Sequence, residues 1–499
     1  MLDSIKILLM ERNLSVYFFV IIAFACRIAA YHSKLRTSRH CTWTAMVSSS
    51  VPKSLITKLN KRSQLKSEKA KGAWWNTQDV HFSCSGCGKC CLNEGSVWLN
   101  VDECADLCFH LDEPIQSVAD KYFSDYMPGW AKLKNVQVQS KDEGVTRDGC
   151  VFLDDEGKKC TIYEARPIQC RTYPWWPRLL LNESAYSNEA VTPDFITEGR
   201  HWSAAEGGCE GINNVMVESH ESKQNSVEIH RNKNLYEEYI DTFPFLSSNN
   251  DDDAKEHLDR DRLLDKVNLI QAVRDSTRAW VKDFVVKYEL CPFAEKVFVE
   301  DKVRYRVYFG GSRDTNELMN MVEKVKFEIL DLLANKEQDV ATTLLMLPFA
   351  FQTFPEWHEF TMQLEDEIMP ILERETGLEK HKVKRRSLLQ RRGEKKDGNK
   401  CPHIQQDAES GISHPDIQLA FFHPLFSWAD SDHLNDPLNF EKRAPFPTIN
   451  LLRAQRVRDW ANEKKTSDIA EKNISSLETA ENLSEEFEAI IRIALGGSK

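Results

Sequence analysis

The sequence predicts an α+β chain in two parts, a cysteine-rich metal-binding domain followed by a small α/β sandwich domain. Three observations predict it. Eight of the fourteen cysteines stand at ordered positions between Cys84 and Cys209. Beyond Leu263, apolar residues recur at helical spacing and then in short alternating runs, in the order β-α-β-α-β-α. A polar, charge-rich stretch at 216–262 separates the two parts and reads as a linker, with Ser247-Ser-Asn-Asn-Asp-Asp-Asp253 inside it. With 499 residues the chain is long enough for two or three domains. A net charge of −12 weighs against nucleic acid as a partner, because phosphate binding needs a basic face.

Residues 1–72 read as a targeting presequence. Leu14 to Ala25 is apolar but shorter than the ~20 residues a membrane helix needs, and it ends in the small-residue pattern Ala23-Phe-Ala25. From Arg27 to Ser67 there is no Asp or Glu, while Lys and Arg alternate with Ser and Thr. A signal-like segment followed by transit-like composition points to an organelle, a plastid first. Mitochondrial import and a secretory or membrane-anchored destination are the alternatives. No membrane segment is expected in the mature chain.

The cysteine domain occupies 78–215. It opens with Cys84-Ser-Gly-Cys87-Gly-Lys-Cys90-Cys91, where glycines permit the tight turns that bring thiolates to one ion. Cys150, Cys160, Cys170 and Cys209 follow, so the expected metal ligands are Cys84, Cys87, Cys90, Cys91, Cys150, Cys160, Cys170 and Cys209. They are expected in one compact cluster. The metal is zinc or iron, and the Cys-x2-Cys-x2-Cys spacing partly overlaps iron–sulfur runs. Thiols kept for metal imply a reducing compartment. Lys89, Arg166 and Arg171 stand beside the cysteines and would offset thiolate charge. Cys104 and Cys108 share one face of a predicted helix and read as core residues. Asp154-Asp-Glu-Gly157 signals a hairpin turn. Tyr173-Pro-Trp-Trp-Pro177 reads as core packing.

These cysteines, with the Cys-x-Phe-Leu, Cys-x-Ile-Tyr-Glu-x-Arg-Pro and Cys-Arg-x-Tyr-Pro steps, resemble the YkgJ-type CxxCxxCC family from about Phe82 to Gly211. That resemblance implies zinc or iron chelation. The same cysteine pattern occurs in proteins implicated in flagellin lysine methylation, which gives a methylation-related role as one alternative.

The second domain spans 263–465. Leu263, Val267, Ile270, Thr277, Val281 and Phe284 predict a long amphipathic helix. Val303–Phe309, Ala341–Leu347 and Ile417–Phe422 predict strands, and helices fall between them on Leu318, Val322, Val325, Ile329 and Leu332, and on Trp357, Phe360, Leu364, Ile368 and Ile371. A final helix is expected from Pro447-Thr448. The basic stretch 378–413 reads as a mobile insertion, and 466–499 as an acidic tail that docks weakly.

Cys291, His423 and Arg443 lie at element ends and are the candidate catalytic residues, a Cys–His pair offering a nucleophile. Arg304, Arg443 and Arg453 offer instead a phosphate or carboxylate site. Leu290-Cys-Pro-Phe-Ala294, Gln418-Leu-Ala-Phe-Phe-His-Pro424 and Arg443-Ala-Pro-Phe-Pro-Thr448 resemble the domain-of-unknown-function family 1415, over about Ala272 to Trp460. Asn450 stands where that family is expected to carry His. No Gly-rich phosphate loop, Gly-x-Ser-x-Gly elbow or His-Glu-x-x-His motif is present. The sequence therefore reads as a metal-binding protein, or as an enzyme on a small anionic substrate, and names neither substrate nor protein partner.

Overall fold

The computed structural model describes residues 51–84, 88–91, 96–139, 146–154, 159–190, 209, 211–212, 226–244, 253–291, 293–335, 340–376, 417–428, 436–453 and 466–494. Residues 1–50 of the expected presequence and the insertion at 378–413 lie outside them. Among the described residues no helix is long and apolar enough to cross a membrane.

The first element of the described residues is a helix, α1 (Lys53–Lys71). In the cysteine half, three strands form an antiparallel sheet in the order β1 (Trp98–Asn100), β3 (Trp130–Leu133), β2 (Phe123–Met127). Between β1 and β2 run α2 (Val101–Leu111) and α3 (Ile115–Tyr122). α2 starts where Asn100 and Glu103 cap each other. The Asn100 side chain accepts the Glu103 N–H at 3.0 Å and Glu103 accepts the Asn100 N–H at 2.9 Å. α2 buries Cys104, Leu107 and Cys108, as the sequence predicts for core residues. The hairpin β4 (Asn135–Gln139) and β5 (Thr146–Cys150) delivers Cys150. Residues 155–158 of the expected turn lie outside the described residues, but their flanks are paired, Leu153 to Cys160 and the Asp154 N–H donating to Lys159 O at 2.9 Å. A four-residue helix, α4 (Ile168–Arg171), carries Cys170.

The expected linker at 216–262 is largely structured where it is described. α5 (Ser226–Asp241) buries Ile229, Leu235 and Tyr239, and α6 (Asp253–Trp280) begins inside the linker and continues as one wide-turn segment, Val281–Val286. The α/β half holds a four-stranded sheet in the order β6 (Val303–Val307), β7 (Thr342–Met346), β9 (Thr448–Arg453), β8 (Ile417–Phe422). β6 and β7 are parallel and joined through α7 (Thr315–Ala334); the other pairs are antiparallel. The segment from Thr448 is thus a strand, not the expected helix. Its Ile449 and Leu451 share one face, and both of its edges find partners. The sheet's two faces separate cleanly. Tyr305, Val307, Leu344 and Met346 face one core, while Leu345, Ile449, Leu451 and Leu419 face another under α7, α8 (Phe354–Gln363) and α9 (Met369–Glu375).

Two expected boundaries change. Leu99, Cys104, Leu107 and Phe152 of the cysteine half belong to the same core as Leu263, Val267, Phe284 and Leu344 of the second half. The halves are therefore joined by one core rather than strung on a linker. α1, placed by the sequence in the presequence, buries Ile56 and Leu59 in the α/β half and sets its cations on acids of that half and of α5. Arg62 reaches Glu375 at 3.0 Å and Glu323 at 2.8 Å, and Lys66 reaches Glu238 at 2.9 Å. The tail is docked too. α10 (Thr466–Glu478) and α11 (Leu483–Ala494) bury Leu477, Leu483, Phe487 and Ile490 in the shared core.

Candidate metal centre

Cys90 and Cys91 occupy a single tight turn, Lys89–Cys91, entered through Gly88 at φ 71, a left-handed conformation that costs glycine little. Their sulfurs lie 4.0 Å apart, the spacing of two thiolates on one tetrahedral ion of metal–sulfur distance about 2.3 Å. Cys150, Cys160 and Cys170 are each near enough to this pair to feel the charge of Cys90. The Cys91 thiol is pushed up by its hydrogen bond to Cys90, by burial, and by the charges of Cys90, Cys170 and Cys150. The Cys170 thiol is pushed well up by burial, then by Cys150, Cys90 and Cys160. Cys90 goes the other way, down to about 7, through its hydrogen bond with Cys91 and the nearby charge of Arg166, against burial. Arg166 also favours the thiolates of Cys160 and Cys170, so it supplies the offsetting cation the sequence predicts. The Lys89 side chain lies outside the described part of the structure.

Five thiols from four separate segments thus influence one another electrostatically, but the expected single cluster of eight is not what the described residues show. Cys84 is exposed, as Cys90 is, and Cys87 lies outside the described residues. Cys209 sits against Tyr173 and Tyr186 instead. Backbone pairing holds it there, its N–H donating to Glu189 O at 2.6 Å beside the Ala190 bridge. The Ser83 N–H donates to Gly211 O at 2.9 Å, so Cys84 and Cys209 stand on neighbouring stretches of chain. Among the described residues no three Cys, His, Asp or Glu side chains close on a single point. The donor chemistry nonetheless fits a soft or borderline ion, since thiolates beside an arginine suit zinc or iron. Trp175 of the aromatic block is core, stacked on Tyr186 at 5.8 Å.

The segment bearing Cys170 is anchored from two sides by residues the sequence reading does not single out. Glu103 accepts the Ile168 N–H at 2.6 Å, at the start of α4. Burial pushes its carboxyl up to about 7, against the Ile168 and Asn100 amides that pull it down. The Asn100-x-x-Glu103 capping signature is the sequence signal that could have found it. Arg171 does not face the thiols as expected; it pairs with Asp331 of α7. Asp331 also holds Arg304 at 2.5 Å. Beside it, Arg306 and Arg274 reach Asp106 at 2.8 and 2.9 Å, and Lys324 reaches Asp102 at 2.6 Å. Burial alone would raise the Asp331 carboxyl, but Arg171, Arg304 and Arg306 hold it well below the usual range.

In the second half, His423 and Arg443 come together and Cys291 does not join them. The Leu425 N–H donates to His423 Nδ1 at 3.1 Å, so Nε2 carries the proton donated to Phe351 O at 3.0 Å. Burial, with Arg443 adding, lowers His423 to about 4, although the Phe351 carbonyl favours the charged ring. Its ring lies against Phe354 and Trp357, on the α8 side of the sheet. Cys291 packs against the core on the opposite face, and burial pushes its thiol up. Both imidazole nitrogens serve backbone groups, so this histidine is a poor base for that thiol. The arginines of the expected anion site are engaged as well. Arg443 donates to Phe426 O at 3.1 Å, Arg453 to Val340 O at 2.8 Å, and Arg304 binds Asp331.

Fold and thiols together define a class, α+β chains with a cysteine-rich half built onto an α/β half. Within it, residues 83–194 match the CxxCxxCC family model, described as a "putative zinc- or iron-chelating domain". Residues 272–376 and 401–487 match a second family model, described as "protein of unknown function (DUF1415)". An uncharacterized protein of Methanocaldococcus jannaschii is 28% identical over 96 residues, covering 19% of this chain and 46% of that protein. The match thus spans less than half of that relative. No solved structure matches.

Proposed function

We propose that this chain binds zinc or iron through cysteine thiolates, with Cys90, Cys91, Cys150, Cys160 and Cys170 as the principal donors. The observation that carries the reading is a Cys90–Cys91 pair already at coordination spacing, with Cys150, Cys160 and Cys170 from three further chain segments near enough to feel its charge. Thiols without a metal gain little from such placement, whereas an ion offsets the mutual repulsion of their thiolates. Bound there, zinc would supply a structural cross-link and iron a redox centre. Cys90 and Cys91 offer the first two bonds, Cys150, Cys160 and Cys170 lock strand, turn and helix onto them, and Arg166 lowers the negative charge of the complex.

The test is elemental analysis and a visible spectrum of full-length protein prepared anaerobically under reducing conditions. At least about one zinc or iron per chain is expected for a four-thiolate site, colourless for zinc and brown for an iron–sulfur centre. Protein holding neither metal, and taking up neither on titration, would overturn the reading. We also propose that the leader-like composition directs the chain to an organelle, a plastid first. What supports this is the apolar run followed by an acid-free Ser/Lys/Arg segment. A reporter fused behind residues 1–50 should reach an organelle; diffuse cytosolic signal would end the idea.

A further inference from the structure

We infer that Arg171 and Asp331 are positioning residues for the thiol centre, through which the α/β half sets how tightly the cysteine half holds its metal. The inference rests on the metal reading above. It begins with a weakness of α4. Four residues cannot sustain a helix, because a single turn fixes many dihedrals for one or two hydrogen bonds. The position of Cys170 is therefore decided by what grips Ile168–Arg171 from outside.

Three grips are visible. At the start of α4, Glu103 accepts the Ile168 N–H at 2.6 Å. In the middle, Gln169 donates to Ser96 O at 3.1 Å, and its carbonyl accepts from the Trp176 indole, also at 3.1 Å. At the end, Arg171, the residue next to Cys170, is ion-paired to Asp331. The first two grips lie within the cysteine half. The third crosses to α7, and Asp331 is itself pinned to β6 through Arg304 at 2.5 Å. Ile168 also packs with Leu330, the neighbour of Asp331, and with Leu235 and Tyr239 of α5. The strand order of the second half is thereby connected, through one carboxylate, to the backbone carrying a thiol donor.

A pair that fixes a donor's position should change metal affinity when broken, since supporting partners of metal ligands are typically worth about 10–100-fold in affinity. The coupling must also run backwards. If Asp331 strengthens metal binding through Arg171, metal must strengthen the Arg171–Asp331 pair by the same factor.

The experiment titrates apo full-length protein with zinc against a chromophoric competitor, for wild type, Arg171→Met and Arg274→Met. Each substitution removes one arginine from the same ionic network and leaves the acid another arginine, Arg304 for Asp331 and Arg306 for Asp106. Only Arg171 touches α4. R171M should bind about 10–100-fold more weakly with unchanged stoichiometry, and R274M should match wild type. Zinc should slow amide exchange around Asp331 in wild type and not in R171M. If R171M does not fold, R171K decides by the same titration, since it keeps the charge but loses the fork that fits a carboxylate; wild-type affinity in R171K overturns the inference. R171M binding like wild type, or R171M and R274M weakened equally, overturns the coupling while the metal reading stands. Wild type that binds neither zinc nor ferrous iron removes the metal reading itself, and this inference with it.

Discussion

His423 and Glu103 are both buried ionisable residues, and they pull the chain's stability in opposite directions with pH. His423 falls from 6.5 to about 4 on folding. Its contribution is therefore present above 6.5 and lost as pH falls through about 4, at most about 3 kcal/mol. Glu103 rises from 4.5 to about 7, so its contribution is present below 4.5 and lost as pH rises through about 7. The two largely cancel in the wild type. Denaturant melts between pH 4 and 7 should show His423→Gln losing stability as pH rises, and Glu103→Gln gaining it. Parallel profiles for the two variants would show that neither group is buried as described. Cys104 supplies a further contrast. Cys104→Ala should cost about 1 kcal/mol of packing and no metal, whereas Cys170→Ala should lose both metal affinity and metal-dependent stability. Metal content and melting midpoint, read together, separate the two. The candidate thiol donors were legible because spacing alone marks them. Arg171 was legible as a cation beside a cysteine, but its partner was not, since Asp331 lies 160 residues away and nothing local pairs them.

At the scale of elements, the stripes that build α6 and α7 are read directly from sequence, because each presents an apolar face at helical spacing to a core. β9 is not, because Ile449-Asn450-Leu451-Leu452 is short and mixed, and only its two neighbours make it a strand. α1 misleads for a different reason. A narrow apolar stripe among Lys, Arg and Ser has transit-peptide composition, but here the cations are matched by Glu375, Glu323 and Glu238 from three distant helices. Leu59→Ala should therefore destabilise the protein by about 2–4 kcal/mol, a loss that a cleaved or unstructured leader would not feel. Mass analysis of mature protein should likewise find an N-terminus at or before Val51.

For the whole molecule, the shared core joins the two halves, so one cooperative body is expected in place of two domains on a tether. Calorimetry of the full chain should give one unfolding transition, and chelation should lower it as a unit. Two separated transitions, with only the first moved by chelator, would restore the independent-domain picture. The sequence could not show this, since each half carries its own coherent pattern, and the residues that join them, such as Leu99 and Leu264, are ordinary core leucines in either half.

The docking of α11 has a consequence for how the protein is made. Phe487 and Ile490 complete the core that contains Cys104 and Leu107. On a ribosome adding about 5–20 residues per second, the last of them emerges some 15–60 s after Cys209. Throughout that interval the thiols are synthesised but the body that fixes Cys170 is unfinished. The nascent chain would therefore meet metal and oxidant with its candidate thiol donors not yet held by the finished core.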